Sequence, residues 1–299
     1  MKTLNILIKR NMTLFFKDKG MFLTALITPL ILLMLYATFL GNVYRDAFVL
    51  TLEEAGVKVS DKLLDGLVGG QLFSSLLAVS TVTVSFCANM LVVQDRAHGR
   101  SRDLFLTPVK RSTIALGYYS ATTLSALLIS FIATAACLIY LSIIGFYMSL
   151  SDVLFFILDV LLMVSFGTAL SSVINFFLST EGQISAVGSI VSSVYGFVCG
   201  AYMPLSQLSE GLRDVISLLP GTYGTSLFRK HAMRGAFEEL SKSAPEALVD
   251  GLKESVDYDV LFFGDKVSEG VSYAYLLITV VFFIAVYVLL HVFRRREKN

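Results

Sequence analysis

Residues 67–93 read LVGGQLFSSLLAVSTVTVSFCANMLVV, without one Asp, Glu, Lys or Arg, and residues 94–112 then read QDRAHGRSRDLFLTPVKRS, with seven charges. A helix needs about 20 consecutive apolar residues to cross the ~30 Å hydrocarbon core of a bilayer. Inside that core every backbone N–H and C=O must be satisfied within the segment, which a helix does. The first stretch is therefore read as a transmembrane helix and the abrupt charge boundary as its exit into water.

The same alternation continues outward in both directions. Apolar runs fall at Met21–Leu40, Leu67–Val93, Thr113–Phe146, Val153–Leu178, Ile184–Tyr202 and Val271–Phe293. Of 299 residues, 55% are hydrophobic and only 16% charged, and the mean hydropathy is +0.73. A soluble domain carries about a quarter charged residues. The expected fold is an all-α membrane protein with six transmembrane helices. The third run exceeds one crossing and is expected to tilt or protrude. Pro29 is expected to kink the first. No small-residue cleavage site follows the first run, so no removable signal peptide is expected.

Basic residues beside the spans set the orientation. The N-terminal tail carries Lys2, Lys9, Arg10, Lys17 and Lys19 against Asp18 alone, and the C-terminal tail reads RRREKN from Arg294. The 94–112 connection is also basic. By contrast, Asn42–Gly66 holds five acids and three bases, and Pro204–Gly270 eleven acids and seven bases. Both termini are expected in the cytoplasm. Residues 1–20 place Leu4, Leu7, Ile8, Met12, Phe15 and Phe16 on one helical face, with Lys2, Asn5, Lys9, Arg10, Thr13 and Lys17 mostly off it. This predicts an amphipathic helix in the headgroup plane. The expected organisation is then 1–20 as this interfacial helix, 21–203 as spans one to five with a cytoplasmic loop at 94–112, 204–270 as an extracellular or re-entrant segment, and 271–299 as span six with a basic tail.

Several chemistries are excluded by pattern. No GxxxxGK[ST] phosphate loop, HExxH or GxSxG motif occurs. Cys87, Cys137 and Cys199 each sit in an apolar run without metal-ligand spacing and read as buried small hydrophobes. His98, His231 and His291 are far apart in sequence. No metal site is expected, and the net charge of +1 gives no indication of a nucleic-acid partner. The clearest ionisable residue within a span is Asp159. An intramembrane acid is a functional hypothesis by default; the alternative is an acid near the outer interface bonded to a neighbouring Ser or Thr. With no power source in the chain, energy for transport is expected from another subunit.

Two connections carry further information. The 94–112 loop is polar at both ends around Leu104, Phe105 and Leu106. Gly99 can end a helix and Pro108 stops what precedes it. It reads either as an amphipathic element offering an apolar knob to a partner, or as a solvated loop. After the fifth span, residues 200–235 mix apolar residues with Pro204, Pro220 and Gly221. Leu205, Leu208, Leu212, Val215, Ile216 and Leu219 form a helical stripe, expected to re-enter or to lie on the outer leaflet.

With these residues in place the chain resembles the membrane subunits of type-two ABC exporters, the family of daunorubicin-resistance and polysaccharide or teichoic-acid export permeases. That family's loop between spans two and three reads acid-basic-x-acid-G, then L-x-x-(T/S)-P-(V/I). Asp95, Arg96, Gly99, Leu104, Thr107, Pro108 and Val109 match it; His98 and Arg100 depart from it. Pro204 and the run Pro220-Gly221-Thr222-Tyr223 resemble two further elements of the family. The resemblance spans nearly the whole chain. It implies a permease dimer, homodimeric or paired with a paralogue, beside two copies of an ABC-type ATP-binding subunit. ATP and Mg would be bound there, with no cofactor on this chain. The N-terminal helix and the 94–112 loop, with Phe105 in its apolar centre, would contact those subunits.

Gly188, Ser192, Gly196 and Gly200 recur at every fourth position of the fifth span. Small residues so spaced let helices approach closely in lipid, either at a dimer seam or within one subunit. Gly66 and Gly70 form a second such pair. Ser80, Thr83, Asn89 and Asn175 could line a path for an amphipathic substrate, or could bond to helix backbone and neighbouring helices. The reading is the permease of an exporter in a bacterial or archaeal plasma membrane. The outer stretch at 237–270 favours a drug, antimicrobial peptide or lipid as cargo. Rivals are an ion-coupled carrier using Asp159 and a non-transporting membrane sensor or assembly subunit.

Overall fold

The computed structural model describes residues 2–293; the basic tail from Arg294 lies outside them. The helices are α1 (Lys2–Lys17), α2 (Lys19–Leu35), α3 (Gly41–Glu54), α4 (Asp61–Ala88), α5 (Met90–Ala97), α6 (Arg100–Leu106), α7 (Arg111–Ile144), α8 (Leu150–Phe176), α9 (Glu181–Val198), α10 (Glu210–Ser217), α11 (Pro220–Leu240), α12 (Glu246–Ser255) and α13 (Glu269–Phe293). A two-residue hairpin, β1 (Leu261–Phe262) against β2 (Asp265–Lys266), separates α12 from α13.

Among the described residues five helical stretches are long and apolar enough to cross a membrane: Lys19–Glu54, Asp61–Ala97, Arg111–Ile144, Leu150–Phe176 and Glu269–Phe293. The chain is an all-α multi-pass membrane protein. The fifth expected span corresponds to α9, whose 18 residues begin with Glu181 and Gln183 and include four serines, which dilute its apolar character. In the first span Pro29 lies inside a continuous α2. The irregularity comes later, as a π-helical turn at Tyr36–Leu40 that carries the helix on into α3.

The bundle is built around α4, which packs against α2, α7, α8, α9 and α11. Its sequence shows why: it is apolar or small all round, as a helix enclosed on every side must be. Gly70 lets α11 come close, since a Cβ there would stand 3.1 Å from the carbonyl oxygen of Ala232. Gly66 does the same for Tyr147, where a Cβ would lie 2.8 Å from the ring. The hydroxyls of Thr81, Thr83 and Ser85 donate to carbonyl oxygens one turn back in their own helix, which removes their polar cost inside the bundle.

Between α9 and α13 the chain does not form a layer over the bundle. After Pro204 a short 3-10 turn leads into α10, and Leu208 between them is extended. The single leucine stripe expected from the sequence is thereby broken: Leu205 and Ile216 are buried, while Leu212 and Val215 are exposed. The carboxylate of Asp257 accepts the backbone N–H groups of Leu205 and Ser206 and pins the turn before the break. Pro220 then opens α11 at the first helical position, where its missing N–H costs nothing. α11 runs antiparallel to α8: Gly224 sits on Met163, His231 on Asp159, Arg234 on Asp152 and Gly235 on Tyr147. It is a buried helix wedged among α4, α8 and α13.

Candidate functional site

The loop at 94–112 and the helix α1 meet at one side chain. Asp95 is fully buried, and its carboxylate accepts from Arg10 Nη1 at 2.7 Å, from Tyr118 Oη at 2.7 Å and from Arg100 Nη1 at 3.4 Å. Four elements, α1, α5, α6 and α7, are thus tied at a point. Arg10 is held charged here: burial works against its charge, but Asp95 more than offsets this and raises its pKa. Beneath the tie, Leu7, Val92, Ile114 and Tyr118 form an apolar cluster with Leu104 and Val109 packed against it. Gly117 allows the contact, because a Cβ there would lie 3.0 Å from Cβ of Leu7. On the other side of α1, Ile8, Met12 and Phe16 border an open groove with Leu124. The apolar face expected of α1 is therefore divided between the protein and an open flank. Arg10, expected on its polar face, points into the tie.

Arg96 anchors the loop to a second helix. Its guanidinium donates to the carbonyl oxygens of Asn175 at 3.1 Å and Phe176 at 2.8 Å, and to that of Leu178. These carbonyls lie at and just past the end of α8, where helical partners run out; that of Asn175 also accepts the backbone N–H of Leu178. Above it, Asn89 interrupts the second span between α4 and α5; its amide donates to Ser171 Oγ at 3.0 Å and Ser172 Oγ at 3.1 Å. Asn175 Nδ2 returns a bond to the carbonyl oxygen of Asn89 at 3.3 Å. The loop's base is thus joined to α1, α7 and α8.

At its tip, Gly99 adopts φ +75 and ends α5, so that α6 can turn away. Thr107 Oγ1 donates to the carbonyl oxygen of Leu104 at 2.6 Å and closes the turn before Pro108, both residues being exposed. Of the apolar centre, Leu104 faces the inner cluster and Leu106 is 85% exposed. Gly99→Ala is expected to cost about 1 kcal/mol of stability through its left-handed backbone alone, because no atom lies within 4 Å of where its Cβ would be. A thermal melt of the purified protein checks this, and a loss of several kcal/mol would contradict it.

A family model described as ABC-2 type transporter matches residues 2–232, from α1 to the middle of α11. The chain belongs to the ABC-2 type transporter family. It is an ABC transporter permease subunit, a transport component and not a member of a catalytic family. No curated protein matches the chain.

The permease distributes its other expected site residues unevenly. Pro220, Gly221 and Tyr223 open α11, while Pro204 precedes the 3-10 turn at Leu205–Gln207. Gly221 lies against Tyr195 and Cys199, and Tyr223 packs on Tyr275 with ring centroids 4.6 Å apart. In the small-residue stripe of α9, Gly196 is covered by the ring of Tyr202 from the same chain, and Gly200 adopts φ +73 in the turn ending the helix. Both are thus accounted for by packing within one subunit. Gly188 and Ser192 instead border a small cavity with Thr83 and Asn175. Thr83 donates to its own helix, Asn89 and Asn175 bond across α4, α5 and α8, and Ser80 is buried without a hydrogen-bond partner among the described residues. Bonding to backbone and neighbouring helices is what most of these side chains do.

Asp159 is bonded neither to Ser nor to Thr. His231 Nδ1 lies 2.6 Å from its Oδ2, and Tyr273 Oη donates to its Oδ1 at 2.7 Å. It belongs to a larger set the sequence did not reveal, in which four basic residues of α11 each meet an acid. Arg229 lies 3.5 Å from Asp257, Lys230 2.8 Å from Asp259, and His231 pairs with Asp159. Arg234 reaches Asp152 at 3.3 Å and Glu269 at 3.0 Å. The sequence signal was the cluster Arg229-Lys230-His231 itself, whose partners lie far away along the chain. Among the described residues no group of His, Cys, Asp and Glu has the arrangement of a metal site.

Proposed function

We propose that the permease is the membrane half of an ATP-driven exporter with six spans, α9 included, and both termini in the cytoplasm of a bacterial or archaeal cell. Two ATP-binding subunits, carrying ATP and Mg, dock under the 94–112 loop and α1; a second permease copy completes the passage. The observation that carries this is the Asp95 tie, which makes α1, the loop and α7 one mechanical unit, with Leu106 projecting from its tip. A knob on a braced base can pass the closing of an ATPase pair to the helices behind it. The force would travel through Arg96 and Asn89 into α8 and α4, parting the bundle from its second copy to release an amphipathic drug, peptide or lipid. The seam would use the exposed faces of α2 and α9, where Leu23, Ile27, Ile190 and Val194 stand outward.

Leu106→Ala tests the docking. The side chain makes little contact in this chain, so the melting temperature should stay within about 2 °C. Permease-stimulated ATP hydrolysis by the reconstituted partner should fall about tenfold, the loss of one apolar anchor at an interface. Full stimulation with this variant, and with the loop's Phe105→Ala, would remove the loop from the coupling surface.

One observation favours a second reading, an ion-coupled carrier: the buried Asp159 lies 2.6 Å from a second ionisable side chain, His231. Transport by the purified permease alone under a proton gradient would select it. The first reading is preferred because Asp159 is already compensated by two hydrogen bonds, as a structural pair requires.

A further inference from the structure

Between α10, α11, α12 and the β hairpin lies a cavity of about 290 Å³, at the end of the bundle opposite the 94–112 loop. Its apolar wall is formed by Cys199, Leu205, Val260 and Leu261. Most of its charged groups are already satisfied. Asp257 accepts two backbone N–H groups, Asp259 holds Lys230 and Lys266 at 2.8 and 3.4 Å, and the Lys253 ammonium lies over the rings of Phe237 and Tyr258. Burial pushes the Asp257 carboxyl up despite Arg229 beside it. Asp259 also feels burial, but its two lysines outweigh it and hold its pKa below the ordinary value.

Three groups remain. Arg229, with 2% of its side chain exposed, turns Nη1 toward Asp257 and Nη2 toward the carbonyl oxygen of Gly200, yet its buried Nε–H has no partner among the described residues. Arg213 of α10 and Glu254 of α12 line the same cavity, and neither makes an ion pair among the described residues. A buried guanidinium N–H left unsatisfied is costly, by about 1–3 kcal/mol or more for a charged group. Arg213 acts on the charge of Asp257 without pairing with it, and Glu254 is exposed; a wall offering a cation and an anion outside ion pairs is complementary to a molecule carrying both charges. The volume sits at the lower edge of small-molecule pockets, about 300 Å³, too small for an acyl chain or a glycan in addition to a polar head.

We propose that this cavity binds a small zwitterion, its carboxylate or phosphate held by Arg229 and Arg213 and its ammonium by Glu254. The site does not depend on the exporter reading, since occupancy is measurable on the permease alone. Such a ligand would bridge α10 and α12 through Arg229 to the end of α9 and to Ser75 of α4, whose Oγ lies 3.5 Å from Arg229 Nη2. The same charge pair occurs on a free solute and on an aminophospholipid headgroup.

The test is calorimetric titration of the purified full chain in neutral maltoside micelles with phosphoethanolamine and with β-alanine. At least one should bind saturably, one per chain, and at least tenfold more tightly than inorganic phosphate or ethanolamine alone. Arg213→Ala and Glu254→Gln should each weaken it tenfold or more with unchanged melting curves, and Lys242→Ala, exposed and outside the cavity, should not. Displacement of the probe by phosphatidylethanolamine but not phosphatidylglycerol would identify a lipid headgroup as the occupant. No displacement by either would identify a solute; both results fit the site. The proposal is overturned if neither zwitterion binds saturably, if phosphate alone binds as tightly, or if both cavity variants bind like the unaltered protein.

Discussion

Asp95→Ala is expected to release α1 from the bundle and to uncouple the permease from its ATPase. The carboxylate is fully buried and is the shared acceptor of Arg10 and Tyr118. Its removal leaves the Tyr118 hydroxyl in the interior without its partner, at about 1–3 kcal/mol. Arg10 loses less, because 30% of its side chain is exposed and water can replace part of the pair. A local loss of about 2 kcal/mol corresponds to roughly thirtyfold faster amide exchange through opening of α1, while α4 and α8 keep their protection. Stimulated ATP hydrolysis should fall by more than the tenfold expected for Leu106→Ala, since the base of the lever is lost and not only its tip. Asp95→Asn retains an acceptor for Tyr118 and should fall between. If exchange in α1 is the same in Asp95→Ala as in the unaltered protein, the tie does not hold the helix.

The second large effect is at the other end of the bundle. Asp159→Ala is expected to cost about 3 kcal/mol, the upper end for leaving a buried hydrogen-bonding group without its partner. It strands His231, whose ring is fully buried and stacked on Phe155 with centroids 5.3 Å apart. His231→Ala should cost a similar amount by stranding the carboxylate. The double variant should cost less than the sum by at least about 2 kcal/mol, since neither group is then left alone. Tyr273→Phe, losing one hydrogen bond to the same carboxylate, should cost about 1 kcal/mol. Unfolding in mixed micelles measures all four. Additivity of the two single losses to within about 0.5 kcal/mol would show that the pair is not a unit.

The sequence exposed what depends on local composition. Runs such as 67–93 announce helices because hydrocarbon leaves no alternative. The punctuation of the loop by Gly99 and Pro108 announced its turns, and both act where expected. The sequence left hidden what depends on distance. Asp159 stood out as an ionisable residue in a span, but its partner His231 is 72 residues away, inside a segment expected to re-enter or to lie on the outer leaflet. Arg10 fell on the polar side of α1 by periodicity, yet the acid that claims it is 85 residues on. Gly196 fits a small-residue stripe equally well whether a second copy or Tyr202 fills the space, and periodicity carries no information about which. The leucine stripe after Pro204 failed for a related reason: a helix was implied by spacing, but the chain leaves the helical conformation at Leu208, after a turn tied to Asp257, some fifty residues on.

The wedging of α11 bears on how the molecule is made. A helix carrying Arg229, Lys230, His231 and Arg234 would be costly to place in lipid as an independent segment, at about 2.5–3.5 kcal/mol for each charged arginine or lysine at the membrane centre. Two of its counter-charges, Asp152 and Asp159, emerge from the ribosome before it; the others, Asp257, Asp259 and Glu269, emerge only afterwards. Its final lodging therefore waits on chain that has not yet been synthesised. Assembly of this bundle ends with a late docking step, at the stage when quality-control proteases would meet an unfinished copy.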